Sequence, residues 1–314
     1  MGRCATPAAA GVFICAAALL AGCAAPQVSA LVERPPAGLP ASAEIAAVAF
    51  FAQEDYQCGP ASLAAVLRHA GREATPESLA PQVYLPGRKG SLQSEMLAGA
   101  RRHGVVAYEL APRLEALLRE IAAGTPVLVL QNLGLDWVPR WHYAVAVGYD
   151  LEERSLLLRS GVTRRLAMSL DTFERTWARS GHWAMLALPP ERLPETAAEL
   201  SYLAAVAGLE RVAPAAARRG YEAALARWPQ SVTAELGLGN ASYAMRDLAG
   251  AATAYRRATA RHPESADAWN NLAQALIELG SRDEALAAAR RAVALGGPRL
   301  PTYRETLEHI LRQP

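Results

Sequence analysis

The sequence predicts an α+β domain with an antiparallel sheet, followed by an all-α solenoid of helical repeats. Between residues 45 and 124 the apolar residues recur at helical spacing, whereas between 126 and 189 they form β-branched or aromatic runs of strand length. Helices that precede strands in this way favour an α+β fold. From residue 196 onward the strand pattern stops, and an alanine-rich helical pattern with an internal period runs to the end.

Each element of the α+β region has its own signal. Apolar spacing, capping residues and terminal glycines predict helices at 59–71, 75–83, 91–104 and 113–124. Strands are predicted at 126–133, 142–150, 155–161 and 182–189, with a helix at 169–181 before the last strand. Short turns join the strands, which favours antiparallel pairing.

The C-terminal region keeps one register over successive copies. Tyr221 and Tyr255 are 34 residues apart, and so are Pro229 and Pro263. This register resembles that of tetratricopeptide repeats, with about three copies over 197–314 and a capping helix at 301–311. Such helix–turn–helix units stack because no unit buries its own core. The resemblance implies that the repeats recruit a protein partner or a protein substrate.

The N-terminus has the three parts of a secretory signal, namely Arg3, an apolar run at 8–21, and small residues before Cys23. The stretch LAGC at 20–23 resembles the lipobox of bacterial lipoproteins. The resemblance implies a signal peptide over 1–22 and acyl chains on Cys23. With Ala24 next, it implies a lipid-anchored protein of the bacterial cell envelope, on an outer membrane and facing the periplasm. The proline-containing stretch 23–43 is expected to be a flexible tether, and folded domains are expected at 44–192 and 197–314.

Cys58 is the principal candidate for chemistry. Signal cleavage would remove Cys4 and Cys15, and lipidation would use Cys23, so Cys58 is the thiol predicted to stay free. A single thiol in an exported protein indicates either reactivity or packing as a small apolar residue. Gly59-Pro60 puts it at a helix start, where the helix dipole favours a thiolate. Among the histidines, His142 is the best partner on local grounds, because it begins a buried strand and projects from its rim.

The stretches QEDYQCGPASLAAVL and HYAVAVGYD together resemble the C39-like cysteine peptidases, which are papain-like hydrolases. The resemblance covers about 45–190 and implies that Cys58 is the nucleophile and His142 the general base. It also implies an oxyanion-stabilising glutamine before the cysteine; Gln53 matches in kind but lies one position out of register, and Gln57 is the alternative. The family carries an aspartate on the strand after the histidine, and alignment puts Ser160 there. Asn132 or Asp136, in the loop before His142, are the alternatives for orienting the imidazole.

These patterns predict an envelope-anchored cysteine peptidase that uses a Cys-His mechanism without a cofactor or metal. The alternative is a weakly active or inactive papain-like domain that serves as a binding or scaffold lipoprotein. Amide hydrolysis of a non-protein substrate, such as a peptidoglycan cross-link, stays open within the enzyme class. The net charge of +2 lacks the basic excess that is typical of nucleic-acid-binding proteins, so the charge does not indicate a nucleic-acid partner.

Overall fold

The computed structural model describes residues 25–52 and 57–313. The elements of the first part, in chain order, are α1 (Pro26–Glu33), β1 (Ser42–Glu44), α2 (Cys58–His69), α3 (Pro76–Val83), α4 (Gln93–Arg102), β2 (Val106–Glu109), α5 (Leu114–Ala122), β3 (Val127–Asn132), β4 (Trp141–Asp150), β5 (Ser155–Ser160), β6 (Thr163–Ser169), α6 (Leu170–Ala178) and β7 (Ala184–Leu188). The helices of the second part are α7 (Glu199–Ala207), α8 (Pro214–Arg227), α9 (Val232–Ala244), α10 (Leu248–Arg261), α11 (Ala266–Glu278), α12 (Arg282–Leu295) and α13 (Leu300–Arg312).

The strands form one sheet in the order β2-β7-β3-β4-β5-β6, with β1 paired to the second half of β4. The β3–β4, β3–β7, β4–β5 and β5–β6 pairs are antiparallel, which confirms the predicted α+β fold. The sequence analysis missed β1, β2 and β6. β1 has three residues and β2 has four, which is short for a strand signal, and β6 is an exposed edge strand rich in polar residues.

Helix α2 is buried along residues 59–67. Its side chains are mostly small, so the helix backbone approaches β4 and β3 closely. The backbone carbonyl of Gln57 accepts the Ala61 N–H at 3.1 Å, which starts the helix at Cys58. The core of the first part therefore holds the N-terminus of α2 against the middle of the sheet.

Residues 26–33 form α1, which differs from the flexible tether predicted for 23–43. Val28 is buried, and the Glu174 carboxylate on α6 accepts the backbone N–H groups of Gln27 and Val28 at 2.9 and 2.7 Å. The Gln27 side chain also accepts the Leu114 N–H at 2.5 Å. The prediction missed these contacts because Glu174 is 146 or more positions away in sequence.

The helices after β7 pair in sequence order, as tetratricopeptide repeats do. Ala251, Leu272 and Ala285 are buried in one core shared by neighbouring helices. The Tyr255 ring packs directly on the α-carbon of Gly239, where a β-carbon would overlap the ring. Small residues at fixed positions thus let successive helices approach closely, which is the physical origin of the 34-residue register.

Contacts divide the chain into two compact units. The first comprises the described parts of 1–69, 74–91 and 110–185, and the second comprises 70–73, 92–109 and the described part of 186–314. The predicted folding domains, 44–192 and 197–314, remain predictions. Within the described ranges, every helix is too short or too polar to cross a bilayer.

Candidate active site

Cys58 is the first residue of α2 and is half-buried. Burial raises the pKa of its thiol, and this effect outweighs the hydrogen bonds from the backbone N–H groups of Tyr143, Gly59 and Cys58, which lower it. This direction favours the protonated thiol in the resting protein. The helix start stabilises a thiolate in the way that the sequence predicted, but it does not overcome the cost of removing the sulfur from water.

The Tyr143 backbone N–H brings β4 into contact with the Cys58 sulfur. The buried Tyr143 phenol donates a hydrogen bond to the Ser91 carbonyl at 3.2 Å, and its ring lies edge-on to Trp183 with the ring centres 5.9 Å apart. Burial and the nearby Cys58 raise the pKa of the phenol. These contacts fix β4 beside the first turn of α2, at the residue next to His142.

The structure brings His142 and Ser160 together. Nε2 of His142 lies 2.8 Å from Oγ of Ser160, across the β4–β5 pair, and both residues are half-buried. Burial, and secondarily the positive charge of Arg140, lowers the pKa of His142. With Nε2 engaged by Ser160, Nδ1 is the ring nitrogen left to exchange a proton with a second group.

Asn132 and Asp136, the alternative orienting residues, have other positions. The buried Asn132 side chain accepts the backbone N–H groups of Gly134 at 2.9 Å and Arg140 at 2.8 Å. Its amide oxygen therefore shapes the loop that leads to β4. Asp136 is exposed at the tip of that loop, six positions before His142. Of the three candidates, Ser160 is the one hydrogen-bonded to the imidazole.

Two predicted residues, Gln53 and Cys23, lie outside the described residues. Gln57, the alternative oxyanion donor, is half-buried and directly precedes Cys58.

A buried polar residue beside the candidate site, Gln131, was missed by the sequence analysis. It is fully buried directly opposite His142 in the β3–β4 register, and its Nε2 donates to the Thr176 hydroxyl at 2.6 Å. The register of two strands is the only signal that could have located it.

The arrangement provides a neutral thiol, a neutral imidazole and a hydroxyl that holds the imidazole. A neutral imidazole can accept the thiol proton as the sulfur attacks an electrophilic carbon, and can later protonate a leaving group. In the described ranges no group of three or more histidine, cysteine, aspartate or glutamate residues is placed to hold a metal ion.

Two family models match the chain. Residues 45–185 match the model described as the peptidase C39 like family, and residues 236–299 match a tetratricopeptide repeat model. The first match contains Cys58, His142 and Ser160. The family resemblance derived from the sequence is therefore confirmed for both parts of the chain.

A search of solved structures matches parts of this chain to several proteins, among them a candidate C39-like peptidase from Bacillus anthracis. It is 20% identical, with a TM-score of 0.40, and the match covers 47% of this chain and 97% of that one. The peptidase domain of Streptococcus ComA, a bifunctional ABC transporter in quorum sensing, is 18% identical with a TM-score of 0.36. That match covers 45% of this chain and 98% of the ComA peptidase chain.

A thermophilic tetratricopeptide-repeat protein from Thermus thermophilus is 22% identical, with a TM-score of 0.31. The match covers 34% of this chain and 63% of that one. A comparison with curated proteins finds no match.

Proposed function

We propose that this chain, C39-like over residues 45–185 and tetratricopeptide-like over 236–299, is a cysteine peptidase. In this proposal Cys58 is the nucleophile, His142 the general base, and Ser160 the residue that positions His142. The observation that carries the proposal is the contact of the Cys58 sulfur with the backbone of Tyr143, next to a histidine already held by a hydroxyl.

In the proposed reaction, the sulfur attacks the peptide carbonyl carbon while the thiol proton passes to Nδ1 of His142. The C–N bond then breaks, and His142 protonates the departing amine, leaving a thioester on Cys58. Water, deprotonated by His142, cleaves the thioester and restores the thiol. The backbone N–H of Cys58 and the side chain of Gln53 or Gln57 are the proposed donors to the oxyanion.

The neutral resting state decides the order of these events. Burial raises the pKa of the thiol and lowers the pKa of the imidazole, and both shifts favour the neutral pair over the ion pair before substrate binds. Proton transfer from Cys58 to His142 therefore accompanies attack on the substrate. Ser160 supports this transfer by accepting a hydrogen bond from Nε2–H, which orients the ring.

We further propose that the repeats recruit a protein substrate or partner, and that Cys23 carries the acyl chains that anchor the protein to the envelope. The outer membrane, with the protein facing the periplasm, is the proposed location. The tetratricopeptide match supports the first point, since stacked helical repeats build extended protein-binding surfaces. The lipobox-like LAGC at 20–23 supports the second.

A second candidate function is a binding module with little or no hydrolytic activity. The observation in its favour is that a neutral serine, rather than a carboxylate, contacts His142. A hydroxyl stabilises the imidazolium that must form during attack less than an anion does.

The two functions are separated by hydrolysis that depends on Cys58. The full chain is incubated with a mixture of peptides of diverse sequence, and products are identified by mass spectrometry. We expect cleavage by the wild-type chain that Cys58→Ala and His142→Ala both abolish. The matched histidine control, His103→Ala at the C-terminal end of α4, should retain it. No cleavage by the wild-type chain, together with no thioester trapped on Cys58, would support the binding module instead.

A further inference from the structure

An exposed apolar hairpin lies immediately before His142. This apolar hairpin, residues 133–141, comprises the loop between β3 and β4 and the first residue of β4, Trp141. Its large apolar side chains are exposed to an unusual degree: Leu133 42%, Leu135 54%, Trp137 80%, Val138 54% and Trp141 54%. Five exposed apolar side chains thus lie within nine residues of one hairpin, and concentrations of exposed apolar surface mark interaction or membrane surfaces.

Backbone and side-chain hydrogen bonds hold the apolar hairpin in a defined conformation. Leu135 and Val138 exchange backbone hydrogen bonds at 3.2 and 3.1 Å around the two-residue tip, and Leu133 N–H donates to the Arg140 carbonyl at 2.9 Å. The buried Asn132 side chain ties both arms at the base. Gly134 is required there, because a β-carbon would overlap the Val138 carbonyl oxygen. The fold therefore holds the apolar side chains in water.

The base of the apolar hairpin and the N-terminal end of the described chain are attached to the same helix, α6. The Arg179 side chain, at the end of α6, donates to the Asn132 carbonyl at 3.0 Å. Glu174, five residues earlier and about 7.5 Å along the helix, holds the N-terminus of α1. Cys23 precedes Gln27 by four residues, so the chain between them spans at most about 14 Å.

We propose that the apolar hairpin inserts into the interfacial layer of the phospholipid bilayer, beside the acyl chains of Cys23. This inference rests on the proposed lipid anchoring for its location. Tryptophan prefers the membrane interface because its ring is apolar and its N–H is polar. Trp137 and Trp141 meet this requirement, and the exposed Arg140 lies beside them for contact with anionic headgroups. The inserted apolar hairpin and the acyl chains of Cys23 would be two independent contacts with the membrane.

The insertion would define the substrate class of the proposed peptidase. His142 follows Trp141 directly, so the site would open close to the bilayer surface. Peptide segments presented at the membrane would then be cleaved faster than the same segments free in solution. The acyl chains would supply affinity and the apolar hairpin would supply orientation.

The test measures tryptophan quenching by lipid. The full chain, purified with its acyl chains, is reconstituted in phosphatidylethanolamine–phosphatidylglycerol vesicles whose lipids carry bromine at a shallow acyl position. Only two of the six tryptophans belong to the apolar hairpin, so we expect quenching of about a third of the emission. Trp137→Phe should lower the quenched fraction from about a third to about a fifth, whereas the control Trp228→Phe, in the repeats, should not lower it.

Val138→Glu is the second variant. It changes an exposed residue, so the thermal midpoint should stay at the wild-type value, while the quenched fraction falls at least twofold. Unquenched wild-type emission overturns the insertion, and so does quenching that Trp137→Phe leaves unchanged. If the emission is not quenched by the vesicles but the Trp137 fluorescence changes when an apolar peptide is added, the insertion is overturned and the apolar hairpin binds peptides instead.

Mass spectrometry of Cys23 separates this inference from the anchoring on which its location rests. An acylated chain without quenching retains the anchor and overturns the insertion. If the chain proves not to be acylated, the same vesicles are added to it in solution. Quenching that depends on Trp137 then supports insertion without an anchor, and its absence overturns insertion as well.

Discussion

Replacing Ser160 tests how His142 is held. In the structure the pair is joined by one neutral hydrogen bond of 2.8 Å in a half-buried site. Ser160→Ala removes the acceptor of the ring N–H and destabilises the imidazolium that forms when His142 takes the thiol proton. One such bond contributes about 1 to 1.5 kcal/mol, because water replaces the lost partner in part. The thiolate–imidazolium population should then fall about five- to twelvefold.

Ser160→Asp should act in the opposite direction. A carboxylate beside the imidazole stabilises the imidazolium, and a hydrogen bond to an ionised acceptor is roughly twice as strong as a neutral one. The pKa of His142 should rise, and the ion-pair population should increase about five- to tenfold over wild type.

The assay is alkylation of Cys58 by iodoacetamide between pH 5 and pH 10, followed by mass spectrometry. At pH 7 we expect Ser160→Ala to react about five- to twelvefold more slowly than wild type, and Ser160→Asp to react faster. Ser155→Ala is the matched control, since Ser155 is a half-buried serine at the other end of β5. A Ser160→Ala rate within twofold of wild type would refute the positioning role.

Three further predictions concern charge, packing and docking. Arg140→Gln removes a positive charge that lowers the pKa of His142, so the His142 titration followed by NMR should move to higher pH. Added salt should move the wild-type titration in the same direction, because it screens the Arg140 charge. A titration that does not move in the variant would contradict this cause. Gly239→Ala should overlap the Tyr255 ring and cost about 1–3 kcal/mol in urea unfolding, and unchanged stability would show that the ring moves freely. Glu174→Ala removes the carboxylate that accepts two N–H groups of α1, at a cost of about 2 kcal/mol. Hydrogen exchange of α1 amides should then accelerate about 30-fold, whereas retained protection would mean that apolar packing alone docks α1.

Much of the fold could be predicted from local patterns. The strands at β3, β4, β5 and β7 are buried apolar runs, so composition alone located them. β6 was missed because its exposed edge position tolerates polar residues. α1 was missed because the 23–43 stretch is rich in proline, although Pro26 occupies the first turn of a helix, where it is tolerated.

The sequence by itself determined that a cysteine begins a helix, that a histidine begins a buried strand, and that the chain ends in helical repeats. Each of these follows from spacing over a few residues, or from a repeated register. The contact of Cys58 with β4, the hydrogen bond between His142 and Ser160 and the docking of α1 on Glu174 were decided by tertiary structure. So was the raised pKa of the Cys58 thiol, because burial depends on all the elements packed around a group, and here burial outweighs the helix N-terminus that local sequence reveals.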